Sequence, residues 1–184
     1  MNFSELKNFI QTYDNVIDSD VCDQLIEKFE SHSDKTVRNQ SPMLFDEINL
    51  VREEWPIVQE LQSLIQSCAS SYRYQLNLDF ALPTKFGIEQ FRMKRYHSNQ
   101  GYFDTHVDIT DYPSARRFLA FLIYLNEGEG GDTDFIDISG EVFHTVKRKC
   151  GTVLVFPPMW MFKHRGNKPI NSTKYIISSY FHYL

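Results

Sequence analysis

The chain has no hydrophobic run long enough to cross a bilayer. Its longest, Phe118–Leu125, has eight residues, against the ~20 that a membrane helix needs. It has no basic excess either. Its 19 Lys and Arg against 24 Asp and Glu give a net charge of −5, the wrong balance for a dedicated nucleic-acid binder. Cysteines are few, and the three present (Cys22, Cys68, Cys150) are far apart and odd in number. That spacing excludes a disulfide framework or a Cys-rich zinc site. No repeat, low-complexity tract or linker occurs. The opening segment Met1–Lys7 lacks the basic and apolar regions of a secretory leader. These absences lead us to expect a cytoplasmic protein with reduced thiols and neither a membrane nor a nucleic-acid partner.

What is present is a globular composition: 184 residues, 42% hydrophobic, 23% charged and 15% aromatic. The length suits one domain over residues 1–184. Its character changes near residue 80. Before that point the pattern is helical. Ser19-Asp20 can cap a helix carrying Val21, Cys22, Leu25, Ile26 and Phe29 at three- and four-residue spacing. Glu53 to Tyr74 repeats the pattern with Val58, Leu61, Leu64, Ile65, Cys68 and Tyr72, and Pro56 suits a first turn. Tyr13–Ile17 reads as a short strand leading into the first helix. We therefore expect helical support over about residues 1–80 and a strand-built core over about 81–184.

In the second half the pattern is strands. Phe86–Met93 runs on to Tyr96, and Arg117–Asn126 is apolar on both parities, as a buried central strand should be. Val142–Val146 alternates, Thr152–Phe156 is stopped by Pro157-Pro158, and Thr173–Tyr183 closes the chain. About seven or eight short strands with few intervening helices argue for an antiparallel sandwich or jelly roll. The fold class is thus α+β with a mostly β core, and the N-terminal helices pack outside it.

Two His-x-Asp pairs occur, His32-Ser33-Asp34 and His106-Val107-Asp108. Side chains two apart on a strand point the same way, so such a pair offers an imidazole and a carboxylate to one metal. His32 and Asp34 lie in the polar stretch Ser31–Gln40, with no third ligand at a suitable distance. His106 and Asp108 lie in the strand-rich half. His164 follows past the strand ending at Phe156, and Lys174 opens the last strand. Two His and one carboxylate, with open positions left over, form the facial triad of non-haem Fe(II) oxygenases. His97, His144 and His182 read as structural, and Lys147-Arg148-Lys149 as a solvated turn.

These motifs resemble the Fe(II)/2-oxoglutarate dioxygenases, specifically the prolyl 4-hydroxylase-like branch. The resemblance covers about residues 88–184 and, more faintly, Tyr13–Phe29. Tyr96, Gly101, Tyr102-Phe103 and His106-Val107-Asp108 follow the family's first signature. Tyr124-Leu125-Asn126 and Gly130-Gly131-Asp132-Thr133-Asp134-Phe135 follow the second. Gly151 to Phe156, His164, Gly166, Pro169, Lys174-Tyr175-Ile176-Ile177 and Tyr180 complete it. The chain departs from the pattern at Thr173, where the family has Gly or Ser. It departs again over residues 157–163, which are more aromatic than in many members.

The resemblance implies a double-stranded β-helix of the jelly-roll or cupin kind. It implies Fe(II) held by His106, Asp108 and His164. It implies 2-oxoglutarate bound by Lys174, Tyr96, Tyr124 and Thr133, with Arg165 or Arg92 as alternative cations. Ascorbate is an accessory that it admits. The implied reaction consumes dioxygen, hydroxylates a substrate C–H and releases succinate and carbon dioxide. The substrate is a peptide or protein, with a prolyl residue as one option, or a small molecule. Family halogenases lack the carboxylate ligand, so Asp108 favours hydroxylation. The alternative is a non-catalytic jelly-roll module that binds a metal or a peptide. It would have no need of Lys174 and Tyr96 at cosubstrate spacing. Residues 39–49, 76–84 and 110–116 are read as the loops that select substrate.

Overall fold

Alternation along three central strands divides the interior into two cores. In β7 (Arg117–Tyr124), Leu119, Phe121 and Ile123 face one side, while Ala120, Leu122 and Tyr124 face the other. The same split runs through β10 (Thr152–Phe156) and β12 (Lys174–Tyr183). Both faces are covered, which is why β7 and β10 read as continuous apolar runs. The structure, a computed structural model, describes residues 3–184. Positions 1 and 2 of the opening segment read above lie outside the described residues.

The first core is built by two helices on the outer face of the sheet. Helix α1 (Ser19–Ser31) buries Cys22, Leu25 and Phe29, and α2 (Val58–Gln75) buries Leu61, Ile65, Cys68 and Tyr72. These spacings of three and four place each set on one helical face. They meet Phe121, Ile123, Val153, Val155, Ile177 and Phe181. Burying one such Phe or Leu contributes about 1.5–3 kcal/mol. The ends differ slightly from expectation. Asp18, not Ser19 or Asp20, holds the N-cap of α1, without a side-chain bond. Residues 53–57 form turns ahead of α2, with Glu54 at φ +52° and Trp55 buried.

The second core lies inside the curl of the sheet. Its strand order is β1 (Gln11–Tyr13), β10, β7, β12, β5 (Arg92–Tyr96), β3 (Met43–Asn49), β6 (Tyr102–His106), β11 (His164–Gly166), β8 (Thr133–Ile136) and β9 (Val142–Val146). Each of these neighbouring pairs is antiparallel. The curled sheet with helices outside it is a double-stranded β-helix. Glu89, Gln90 and Phe91 break the expected Phe86–Tyr96 strand into β4 (Phe86–Ile88) and β5. The short strand read at Tyr13–Ile17 lies earlier, as β1, and residues 14–17 turn into α1.

One expectation is corrected here. The first 80 residues are not helical support alone. Residues 36–49, of which 39–49 were read as a substrate loop, form the hairpin of β2 (Thr36–Gln40) and β3. β3 enters the sheet between β5 and β6. Its buried run Phe45-Asp46-Glu47-Ile48 places two carboxylates beside apolar neighbours, and that masks the strand period. Arginine partners on the neighbouring strand, unreadable locally, make it tolerable: Arg95 donates to Asp46 at 2.9 Å and Arg92 to Glu47 at 2.9 Å.

Candidate active site

The site begins with a cross-strand pair. His164 opens β11 directly opposite His106, the last residue of β6. Pro157-Pro158 end β10, and a 3-10 turn at Trp160–Phe162 returns the chain so that His164 enters the sheet. Each imidazole is oriented by a backbone carbonyl. Nδ1 of His106 lies 2.7 Å from the Asp104 carbonyl, and Nδ1 of His164 lies 2.9 Å from that of Phe162. A carbonyl only accepts, so each Nδ1 carries the proton and each Nε2 presents a lone pair.

Both Nε2 atoms face the same carboxylate. Nε2 of His106 is 3.7 Å from Oδ1 of Asp108, and Nε2 of His164 is 3.8 Å from Oδ2. One donor atom from each of the three residues lies within 4.8 Å of the others, the one such cluster among the described residues. β6 ends at His106, so Asp108 stands in the following loop and not on the strand face that the spacing suggested. Two contacts fix it there. Arg117 donates to its backbone carbonyl at 2.7 Å, and the Tyr180 hydroxyl donates to Oδ1 at 2.9 Å. Burial, with His164 alongside, pushes the His106 pKa down to about 4. The ring is therefore neutral near pH 7, as a metal ligand must be. Two neutral imidazoles and a carboxylate fit a divalent metal with open positions.

Lys174 faces the same cleft. It is 2% exposed and stands opposite Tyr96 in the β12–β5 register. Its Nζ lies 5.2 Å from the Tyr96 ring centre and 5.6 Å from that of Tyr124. Neither the Lys174 ammonium nor the Tyr96 hydroxyl has a hydrogen-bond or ion-pair partner among the described residues. Burial and the nearby Arg148 push the Lys174 pKa down to about 7. Gly131, at φ +74°, lets the lysine stem pass: a Cβ there would come 3.1 Å from Lys174 Cδ. Gly101 similarly permits the tight reversal after Tyr96, since a Cβ would fall 2.6 Å from the Tyr96 Cα.

The other expected residues divide. Thr133 lines the cleft, whereas Tyr124 stands behind that wall, its hydroxyl 2.7 Å from Thr133 Oγ1. Arg92 and Arg165 are already engaged, with Glu47 and Asp134, each at 2.9 Å. His32 lies at the end of α1 against Trp55 and Glu53, outside the cluster. Arg148, read as part of a solvated turn, is 3% exposed. It reaches Ser172 Oγ at 2.8 Å and the carbonyls of Gly128 and Thr173 at 3.3 and 3.4 Å, bracing the loop before Lys174. Long-range packing around it of two loops, residues 126–132 and 167–173, invisible in a basic triplet, accounts for the difference.

Sequence reasoning missed one residue that lines the cleft, Lys94. Strand parity could have found it, since Lys94 shares a face with Tyr96. The same parity puts Tyr180 on one face with Lys174, but its bond to Asp108 is a contact that the sequence did not announce.

The sequence of residues 91–182, half of the chain, matches the 2OG-Fe(II) oxygenase superfamily. The chain belongs to that superfamily. This oxygenase therefore uses Fe(II) and 2-oxoglutarate, as a 2-oxoglutarate-dependent dioxygenase. Its fold is shared with several solved prolyl hydroxylases. The viral collagen prolyl hydroxylase of Paramecium Bursaria Chlorella virus-1, solved as a 2OG complex, superposes with a TM-score of 0.68 at 20% identity, covering 96% of both chains. A Pseudomonas putida prolyl-4-hydroxylase gives 0.70 at 13% identity over 99% of both chains. A Trichoplax adhaerens prolyl hydroxylase, in complex with a peptide fragment of the hypoxia inducible factor oxygen degradation domain, gives 0.70 at 16% identity. That match covers 99% of this oxygenase and 87% of the other chain. No curated protein matches the chain by sequence.

Proposed function

We propose that this oxygenase hydroxylates a C–H of a peptide or small-molecule substrate, with prolyl residues of peptides as the first class to test. One observation carries the reading. The buried, unpartnered Lys174 and Tyr96 face the same cleft as His106, Asp108 and His164. A five-carbon dicarboxylate spans those two ends. The fold shared with prolyl hydroxylases supports the choice of prolyl peptides. A carboxylate at position 108 supports hydroxylation over halogenation. A non-catalytic module would have no use for a buried, unpaired ammonium in the same cleft as the metal ligands. The three free cysteines suit a cytoplasmic setting.

In this reading His106, Asp108 and His164 hold Fe(II), which when bound supplies the activation of dioxygen. Lys174 pairs with the far carboxylate of 2-oxoglutarate, and Tyr96 donates its hydroxyl to the same group. Such charge-assisted bonds in a dry site are the strong kind and fix the orientation of what they hold. Thr133 presents a hydroxyl to the same cosubstrate, and Tyr124 sets the direction of that hydroxyl. Tyr180 and Arg117 keep the Asp108 carboxylate turned toward the metal. Ile176 and Leu122 supply apolar wall that excludes water.

The test is succinate formation by purified protein with Fe(II) and 2-oxoglutarate, screened against free and peptide-bound substrates. Products are read by mass for the gain of one oxygen atom. Oxygen gain on a prolyl peptide, dependent on both 2-oxoglutarate and Fe(II), is the expected result. Succinate release with every prolyl peptide unmodified would reject that substrate class.

A further inference from the structure

Two buried lysines face the cleft. Lys94 lies on β5, two residues before Tyr96, opposite Ile176 on one side and Glu47 on the other. It is 9% exposed and lines the same cleft as the metal cluster. Its ammonium has no hydrogen-bond or ion-pair partner among the described residues. It rests instead against the faces of Phe45, at 5.1 Å, and Phe103, at 5.8 Å. Phe103 stacks on the His106 ring with centroids 3.6 Å apart. Lys94 therefore stands beside the metal end of the cleft, two residues along β5 from Tyr96.

The nearby carboxylates are committed elsewhere. Glu47 accepts from Arg92 at 2.9 Å and from Arg38 at 3.4 Å. Asp108 faces the two imidazoles and the Tyr180 hydroxyl. Asp108 is also the one acidic residue lining the cleft. It offsets one of the two charges of a divalent ion, and the near carboxylate of 2-oxoglutarate offsets the other. The far carboxylate offsets Lys174. The charge of Lys94 is left over, in a place where an unpaired ammonium is costly.

We propose that Lys94 is the specificity residue for the substrate to be hydroxylated, and that this substrate carries a free carboxylate which Lys94 holds beside the metal. The proposal rests on the function proposed above. It narrows the substrate class to carboxylic acids, either small acids or peptides ending in a free C-terminus close to the reacting carbon. The neutral aliphatic part of the same substrate lies against Phe103 and Ile176, which flank Lys94.

The experiment uses Lys94→Met, which keeps the side-chain volume and removes the charge. Replacing a buried charge by an apolar residue of similar size is close to neutral for folding. Wild-type and variant protein, loaded with Mn(II) and the non-reacting analogue N-oxalylglycine, are titrated with N-acetyl amino acids and short peptides. Each compound is used as the free acid and as the primary amide, and binding is read by calorimetry. Wild type should bind acids more tightly than amides by about tenfold or more, the effect of one charged hydrogen bond. Lys94→Met should bind both alike, while its own 2-oxoglutarate affinity stays within about threefold of wild type. The two arms separate the sources: preference confined to the N-acetyl amino acids identifies a small acid, and preference among the peptides a C-terminus. Absence of any acid preference in wild type overturns the proposal. So does a preference that survives in Lys94→Met. A loss of 2-oxoglutarate affinity in Lys94→Met also overturns it, because Lys94 would then belong to the cosubstrate. Failure of wild type to bind the analogue at all would instead reject the function on which this rests.

Discussion

Tyr180 and Asp108, 72 positions apart in sequence, are joined by a 2.9 Å hydrogen bond in which the tyrosine hydroxyl donates to Oδ1. Burial and the carboxylate together raise the Tyr180 pKa well above the ordinary tyrosine value, so the donor keeps its proton. The Arg117 guanidinium lies 3.9 Å from the same ring and grips Glu89 through two bonds, of 2.7 and 2.8 Å. Partners of this kind orient a metal ligand, and losing one typically weakens metal affinity by about 10- to 100-fold. Tyr180→Phe should therefore weaken Fe(II) or Co(II) binding by about tenfold with thermal stability retained. Titration of the metal-free protein reads this directly, and unchanged affinity would show that Asp108 is held by the backbone alone.

The two His-x-Asp pairs make opposite expectations. His164→Ala or Asp108→Ala should abolish stoichiometric Fe(II) binding and succinate formation, because each removes one of the three proposed donor atoms that lie within 4.8 Å of one another. His32→Ala should leave both unchanged, since His32 contacts Trp55 and Glu53 instead. Metal analysis of the purified variants, alongside a circular dichroism spectrum to confirm the fold, separates the pairs. Metal loss in His32→Ala would contradict the ligand assignment.

Much of this site was legible because it is built from short-range order. His106 and Asp108 are two apart. Lys174, Ile176 and Tyr180 share a strand face, and a buried lysine on such a face calls for an anion. The limits were set by long-range partners. β3 hides its period behind Asp46 and Glu47, whose arginine partners come from β5. Arg148 looked solvated because its acceptors sit on loops about 20 residues away on either side. Lys94 stands in the basic run Arg92-Met93-Lys94-Arg95, where nothing local singles it out. The curl of the sheet, set by pairing with β12 and β3, turns it inward. Strand boundaries at Val142–Val146 and Thr152–Phe156 matched because prolines, glycines and polar turns punctuate both.

Lys174→Ala should raise the 2-oxoglutarate concentration for half-maximal succinate formation by a factor on the order of 10 to 1,000. That is the range for losing a charged hydrogen bond whose partner stays buried. Fe(II) affinity should hardly change, because Lys174 is not a ligand. Lys174→Arg should keep part of the activity, since the charge survives while its shape differs. An unchanged half-saturation point in Lys174→Ala would mean that another cation holds the far carboxylate.

The pH dependence follows from the same lysine. Free Lys174 has a pKa near 7, lowered chiefly by burial, and an anion beside the ammonium raises it again. Below pH 7 the lysine is already charged, so binding of 2-oxoglutarate takes up little proton. Above pH 7 the free lysine is neutral and the bound one charged, so binding takes up close to one proton and affinity falls as pH rises. The folding linkage has its own sign. Between pH 7 and the unfolded lysine value of about 10.4 the unfolded chain binds more protons. Stability from this group is therefore lost as pH falls through that window. Calorimetry at pH 6 and pH 8.5, in buffers of different ionisation enthalpy, measures the uptake. Equal uptake at both pH values would contradict a free pKa near 7.

The most direct test of the metal and cosubstrate assignment is the anaerobic visible difference spectrum of the protein with Fe(II) and 2-oxoglutarate. A weak charge-transfer band should appear only when both are present. It should be absent from His164→Ala, and in Lys174→Ala it should need a higher 2-oxoglutarate concentration. A wild-type protein that binds Fe(II) but shows no band at saturating 2-oxoglutarate would contradict the assignment of this cleft to cosubstrate and metal together.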